Sequence, residues 1–150
     1  MLSIYVDADA CPVKDEVVRV ADRHDLTVFM VSNNWMRLPE RPRVERVVVP
    51  EGADAADDWI AERIEADDIA ITADIPLAAR CLEKSARVIG PAGKTFTDDD
   101  IGAALAMREL KAHLRDRGEI RGLNPEFTSK DRSRFLQTLE NEIQSIKRRR

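Results

Sequence analysis

Cysteine, histidine and aromatic residues are scarce in this chain, which has two Cys, two His and only 5% Phe, Trp and Tyr in 150 residues. Cys11 and Cys81 form no CxxC pair, which excludes a disulfide framework and reads as reduced thiols in a cytoplasmic protein. His24 and His113 have no ligand spacing around them, so Cys11 lacks a base in the pattern and is expected to be a packed thiol rather than a nucleophile. No segment approaches the roughly 18 uninterrupted apolar residues of a membrane span. The apolar start from Leu2 to Val6 stops at Asp7, so neither export nor membrane insertion is expected. Gly90-Pro91-Ala92-Gly93-Lys94 falls short of a phosphate-binding loop and reads as a plain connection. Trp35 and Trp59 are expected to be partly buried packing residues rather than base-stacking platforms. Repeats and low-complexity tracts are absent from the sequence.

What the chain does contain is charge, unevenly spread. Residues 1–100 carry 12 Lys and Arg against 21 Asp and Glu, whereas residues 101–150 carry 12 against 7, within an overall formal charge of −4. An acidic body with a basic C-terminal third suits an acidic pocket beside a phosphate-attracting surface, although a solvated helical face explains the basic third equally well. The length suits one domain spanning 1–150 with its own core.

Hydrophobic periodicity gives an alternation of strands and helices. Ser3–Val6 reads as a strand, and Pro12 opens a helix with Val13, Val17, Val20 and Ala21 on one face. Leu26–Val31 and Arg46–Val49 read as strands covered on both faces. Asp54–Ala66 reads as a helix, Ile69–Thr72 as a strand, Pro76–Lys84 as a helix and Arg87–Ile89 as a fifth strand. Thr97 with Asp100 looks like a capping box for a helix running to about Arg115, with Ile101, Leu105, Leu110 and Leu114 as its apolar positions. A final helix starts near Ser129 with Phe135, Leu136, Leu139, Ile143 and Ile146 along one stripe, and residues 118–128 read as a flexible loop before it. This order predicts an α/β fold with an about five-stranded, mostly parallel sheet, helices on both faces and C-terminal helices.

Ligands of such sheets bind at strand C-terminal ends, where the strand order reverses. Asp7 and Asp9 end the first strand, Asp54, Asp57 and Asp58 open the middle helix, and Asp74 follows the fourth strand. At about 100° per residue, Asp57 lies about 60° from the buried stripe of that helix, Asp54 about 120° and Asp58 about 160°, so Asp57 and Asp54 can reach the sheet edge while Asp58 faces water. Carboxylates packed together repel, so the cluster either raises some pKa values or holds a hard cation such as Mg²⁺ or Mn²⁺. Each aspartate has a bland alternative: Asp74, Asp54 and Asp9 can all serve as helix N-caps. Asn33-Asn34, at the end of the second strand, either contacts substrate or makes a turn.

These residues resemble a known family. Val6-Asp7-Ala8-Asp9-Ala10-Cys11-Pro12, Gly52-Ala53-Asp54 with Ala56-Asp57, Ile71-Thr72-Ala73-Asp74-Ile75-Pro76-Leu77-Ala78, and Leu105-Ala106-Met107-Arg108 look like the YaiI/YqxD family (UPF0178, DUF188), grouped with PIN-like nuclease folds. The resemblance implies a PIN-like domain with Asp7, Asp57 (or Asp54) and Asp74 in its acidic positions and Asp9 as an extra carboxylate. The chain departs from the family's expected Gly-Gly-Pro at Gly122-Leu123-Asn124-Pro125.

The leading expectation is metal-dependent phosphodiester hydrolysis, of RNA first. Asp7 and Asp74 would hold Mg²⁺ or Mn²⁺, with Asp57, Asp54 or Asp9 completing the site. Asn33, Arg108, Lys111, Arg115, Lys130, Arg132 and Arg134 would hold the nucleic-acid backbone. Two alternatives stand beside it. One is a non-catalytic module binding RNA or protein. The other is a phosphatase of the haloacid-dehalogenase type, suggested by Asp7-Ala8-Asp9 but weakened because Lys94 and Asp98-Asp99-Asp100 sit at a helix start. The apolar stripe of the last helix permits packing on its own domain or a homodimer.

Overall fold

The computed structural model describes residues 2–38, 41–50, 52, 54–103, 106–107 and 127–149. In chain order these form β1 (Ser3–Asp7), a 3-10 turn (Ala8–Ala10), α1 (Lys14–Arg23), β2 (Thr27–Ser32), β3 (Val44–Val48), α2 (Ala55–Arg63), β4 (Ile69–Ile71), α3 (Ile75–Glu83), β5 (Arg87–Ile89) and β6 (Thr95–Phe96). Helical residues 98–103 (α4) follow, and α5 (Ser129–Arg148) ends the chain. The capping box expected at α4 is present, with Thr97 N–H donating to Asp100 Oδ2 (3.1 Å) and Asp100 N–H to the Thr97 hydroxyl oxygen (3.2 Å). Residues 106–107 of the expected helix to Arg115 are helical too, whereas 104–105 and 108–115, the loop residues 118–126 with Gly122–Pro125, and with them Arg108, Lys111 and Arg115, lie outside the described residues.

The sheet has the order β3-β2-β1-β4-β5-β6, parallel except for the β5–β6 pair. The chain winds outward from β1 to β3 and then crosses to the other side of β1, so the order reverses between β1 and β4. That is where a doubly wound sheet opens a crevice at its strand C-terminal ends. The arrangement is the expected α/β fold with one strand more: β6 is only two residues long, and its pattern is too short for periodicity to reveal. The strand at Val44–Val48 is the sheet edge, and its outer positions are exposed rather than covered on both faces as the apolar run suggested. A sheet edge has a neighbour on one side only, so valines there need not be buried.

Alternation along each strand feeds two cores. Ile4, Val6, Val28, Met30, Ile69, Ile71 and Ile89 face the layer of α1 and α5. Tyr5, Val31, Ala70 and Val88 face α2, α3 and Ile101 of α4. The α5 stripe of Phe135, Leu139, Ile143 and Ile146 is buried in the first of these cores, so the helix packs on its own domain. The homodimer expectation thereby loses the surface on which it rested.

A tight approach fixes the start of α5. Gly93, at φ +92°, lies in the loop after β5, where an added Cβ would stand 2.7 Å from Arg134 and Phe135 backbone atoms. Thr138 also donates its hydroxyl to the Gly93 carbonyl at 2.8 Å. Gly93→Ala is expected to destabilise the fold by about 2–4 kcal/mol in urea titration, since backbone strain and steric overlap add. A loss below about 0.5 kcal/mol would mean the loop and helix part freely.

Candidate acidic site at the strand ends

Tyr5 faces the α2–α3 layer, so Asp7, two residues on, points to the same side, where α2 presents Asp57 and the loop before α3 carries Asp74. The three half-buried aspartates therefore converge from three elements at the β1–β4 crevice. Their electrostatics record the approach. Burial first, then the charges of Asp74 and Asp9, hold the Asp7 pKa above its ordinary range, against a lowering hydrogen bond from Thr72. Burial, then Asp74, Asp7 and Asp54, push Asp57 up to about 6, with Arg80 pulling the other way.

Asp57 gives a pH signature. Its folded value lies above the ordinary 3.8, so the native state holds this proton more tightly than the unfolded chain. The stability it contributes is complete below about pH 4 and is lost as pH rises through about 6. Asp57→Asn cannot ionise and should exceed wild type in stability at about pH 7.5, the gap closing toward about pH 4.5. Solvent screening of this partly exposed carboxyl limits the gain to about 1 kcal/mol. Urea midpoints in EDTA at the two pH values measure it, and a gap that does not widen with pH would mean the carboxylates do not share a field.

Thr72 organises the crevice, and the sequence reading did not single it out. Its buried hydroxyl donates to Asp7 Oδ2 at 3.0 Å and accepts from Asp74 N–H at 3.0 Å, tying the β1 end to the β4 end. Asp74 does cap α3, its Oδ1 accepting from Leu77 N–H at 3.0 Å, and this occupies one oxygen only. Asp54 stands at the start of α2 but makes no side-chain cap bond, and it is exposed. Asp9 does not cap α1 either; its Oδ2 accepts from Asn33 N–H at 2.9 Å. Asn33 in turn donates its side-chain amide to the Pro50 carbonyl at 3.0 Å, so it braces the β2 end against the loop after β3. Asp58 faces outward, as expected, and pairs with Arg80 at 2.7 Å.

A contrast sharpens the point. Asp68 is buried at the opposite end of the sheet, where Ser3 N–H (2.9 Å) and Glu65 N–H (3.0 Å) occupy its two oxygens. That is a structural carboxylate, satisfied by backbone. Asp7 instead receives a single hydroxyl among the described residues and faces like charges.

The chemistry of the donors fits a hard divalent cation, which takes carboxylate oxygens and relieves their repulsion. Among the described residues no three His, Cys, Asp or Glu side chains are already gathered into a chelating group. Mg²⁺ does not need one, since it commonly keeps its waters and uses one or two carboxylates together with substrate phosphates.

Of the basic residues expected at a backbone-binding surface, Lys130 and Arg134 are exposed at the start of α5, beside the loop after β5. Arg134 also pairs with Asp131 at 3.3 Å. Arg132 is committed elsewhere: its guanidinium pairs with buried Glu16 and donates to the Pro12 carbonyl at 3.3 Å, locking α5 to α1. Cys11 is buried and its thiol is pushed up to about 11, chiefly by burial, as a packed residue should be. Trp59 packs against Tyr5 and Phe29 as expected. Trp35 departs from expectation, being 66% exposed. It follows β2 in a segment that returns to β3 without a helix to cover it.

Comparison with known proteins places the chain. The family model described as uncharacterized BCR, YaiI/YqxD family (DUF188) matches residues 5–145. A UPF0178 protein of Parvibaculum lavamentivorans is 60% identical over 149 residues, covering 99% of this chain and 98% of the relative. UPF0178 proteins of Rhodospirillum rubrum (56%, 99% and 100% covered) and Agrobacterium fabrum (54%, 97% and 95% covered) are similar along their length. No solved structure matches. None of the described helices is long and apolar enough to cross a membrane.

Proposed function

This chain belongs to the YaiI/YqxD (DUF188) family, and from that premise we propose that it is a metal-dependent nuclease hydrolysing phosphodiester bonds of nucleic acid, RNA foremost, at the Asp7–Asp57–Asp74 crevice. The observation that carries the reading is the placement of half-buried carboxylates from β1, α2 and the loop before α3 at the β1–β4 crevice, where burial first and then the charge of Asp74 raise both Asp7 and Asp57. Asp68 has both oxygens taken by backbone N–H groups, whereas Asp7 and Asp74 each accept one hydrogen bond among the described residues, at the strand ends where this topology binds ligands.

Asp7 and Asp74 would hold Mg²⁺ or Mn²⁺, each through the oxygen its hydrogen bond leaves over, and Asp57 would add a third oxygen directly or through water. Such an ion supplies polarisation of the phosphate and a lowered pKa for the attacking water. Thr72 orients Asp7, and the Asp74 backbone N–H orients Thr72, so the Asp7 carboxylate is tied to the backbone that carries Asp74. Asp9, one oxygen of which accepts the Asn33 N–H, and the exposed Asp54 would be the outer carboxylates of the set. Lys130 and Arg134, with the charges of Arg108, Lys111 and Arg115, would hold phosphates.

The test is cleavage of end-labelled single-stranded and duplex RNA and DNA with Mn²⁺ or Mg²⁺, with EDTA and the Asp7→Asn/Asp74→Asn double variant as controls. Metal-dependent cutting that the double variant lacks is the expected result. A double variant that cuts as well as wild type, or a folded wild type that cuts no substrate, rejects hydrolysis here. Binding of RNA with neither cleavage nor stabilisation by Mn²⁺ would assign the fold to a non-catalytic module.

A further inference from the structure

We infer that Trp35, clamped by Arg46, is a stacking platform for an unpaired base of single-stranded nucleic acid entering the acidic crevice. The inference rests on the nuclease reading for its destination, and on separate residues for its chemistry.

Trp35 is the most exposed large apolar side chain among the described residues, yet it is held firmly. The Arg46 guanidinium carbon lies 4.7 Å from its ring centroid. The carbonyls of both neighbouring residues are hydrogen-bonded. Ser32 donates its hydroxyl to the Asn34 carbonyl at 2.6 Å, and Arg46 Nε donates to the Met36 carbonyl at 3.1 Å. Met36 packs against the core and Leu38 is buried within it. A tryptophan serving only as packing would be covered. One left open on a fixed backbone loses little entropy when a flat ligand lands on it.

Its position matches that role. Trp35 is two residues beyond Asn33, whose N–H meets the Asp9 carboxylate, so chain geometry keeps its Cα within about 7 Å of the residue bordering the crevice.

Its surroundings supply the sign of charge. Arg37, Arg41, Arg43 and Arg46 are all exposed within this one segment, in a half of the chain that is otherwise strongly acidic. Arg41 lies beside Asp15 and Asp22 of α1, leaving Arg37, Arg43 and Arg46 as the stronger phosphate contacts. An aromatic face amid guanidinium groups, beside a carboxylate crevice, fits a ligand that alternates flat bases with phosphates. A second copy pairing edge to edge along β3 fits poorly, because an isologous contact would set these arginines against themselves.

The experiment titrates the full chain with a 12-residue oligouridylate or oligothymidylate in EDTA, following tryptophan emission, with a duplex of equal length beside them. Wild type should be quenched by the single strands and not by the duplex. Trp35→Ala should bind about 10-fold more weakly and lose the quenching, leaving Trp59 to report an unchanged fold, while Trp35→Phe should recover most of the affinity. Binding by either oligomer supports the inference. Wild-type affinity in Trp35→Ala, equal quenching by duplex, or a dimer that Trp35→Ala turns into monomer on gel filtration would overturn it. The two readings fail separately: inactivity of wild type with quenching intact defeats the nuclease alone, whereas cleavage with unaltered affinity in Trp35→Ala defeats the platform alone.

Discussion

Replacing Asp7 and Asp74 together by asparagine is expected to reduce metal-dependent cleavage by about 100- to 1,000-fold, equivalent to about 3–4 kcal/mol of transition-state stabilisation. The fold should survive. An asparagine in place of Asp7 can still accept the Thr72 hydroxyl through its amide oxygen, and one in place of Asp74 can still accept the Leu77 N–H as a helix cap. The double variant should also invert a stability signature. In EDTA it loses the burial of the Asp7 charge and the charges of Asp7 and Asp74 that help raise Asp57, so it should melt higher than wild type. With Mn²⁺ at a hundredfold excess over its Kd, wild type should gain about 2.7 kcal/mol and the variant almost nothing. For a chain of this size that is a shift of about 5–10 °C, readily seen by thermal denaturation. Equal Mn²⁺ shifts in the two proteins would place the ion elsewhere.

Phe135→Ala should destabilise the protein by about 3–5 kcal/mol in urea titration, a large part of the 5–15 kcal/mol that a domain of this kind possesses. Phe135 is the largest fully buried side chain among the described residues, seated on the sheet between α1 and the Gly93 loop. It belongs to the core that the strands share with α1, and Gly93 lies tight against its backbone, so the cavity has little freedom to collapse. Because the stripe is buried within its own chain, the unfolding midpoint of wild type and variant alike should not depend on protein concentration. A midpoint that rises with concentration would restore a subunit interface at α5.

Most of the element order was legible from residues alone. Val13, Val17, Val20 and Ala21 repeat at helical spacing because one face of α1 must be buried, and Phe135, Leu139, Ile143 and Ile146 do the same for α5. The turn chemistry at Thr97–Asp100 was equally local, and so was the Asp74 cap. The failures had a common cause. The open face of β3, the two-residue β6 and the exposure of Trp35 depend on what lies beside each segment, and no periodicity within the segment encodes a neighbour. The pairing of Arg132, expected at the phosphate-holding surface, escapes the sequence for the same reason, since its partner Glu16 comes from a distant helix.

The sequence by itself determined the alternation of strands and helices, the strand-end placement of each aspartate and the outward direction of Asp58, because all three follow from spacing along a helix or a strand. Only the tertiary structure decided which acids lie near one another. Reversal of the strand order between β1 and β4 ties the Asp7 carboxylate to the Asp74 backbone through Thr72, and puts Asp7 in the field of Asp74 and Asp9 and Asp57 in the field of Asp74, Asp7 and Asp54. The physical reason is range. Backbone periodicity acts over a few residues, whereas repulsion between carboxylates from separate elements exists only once the folded sheet has brought them together.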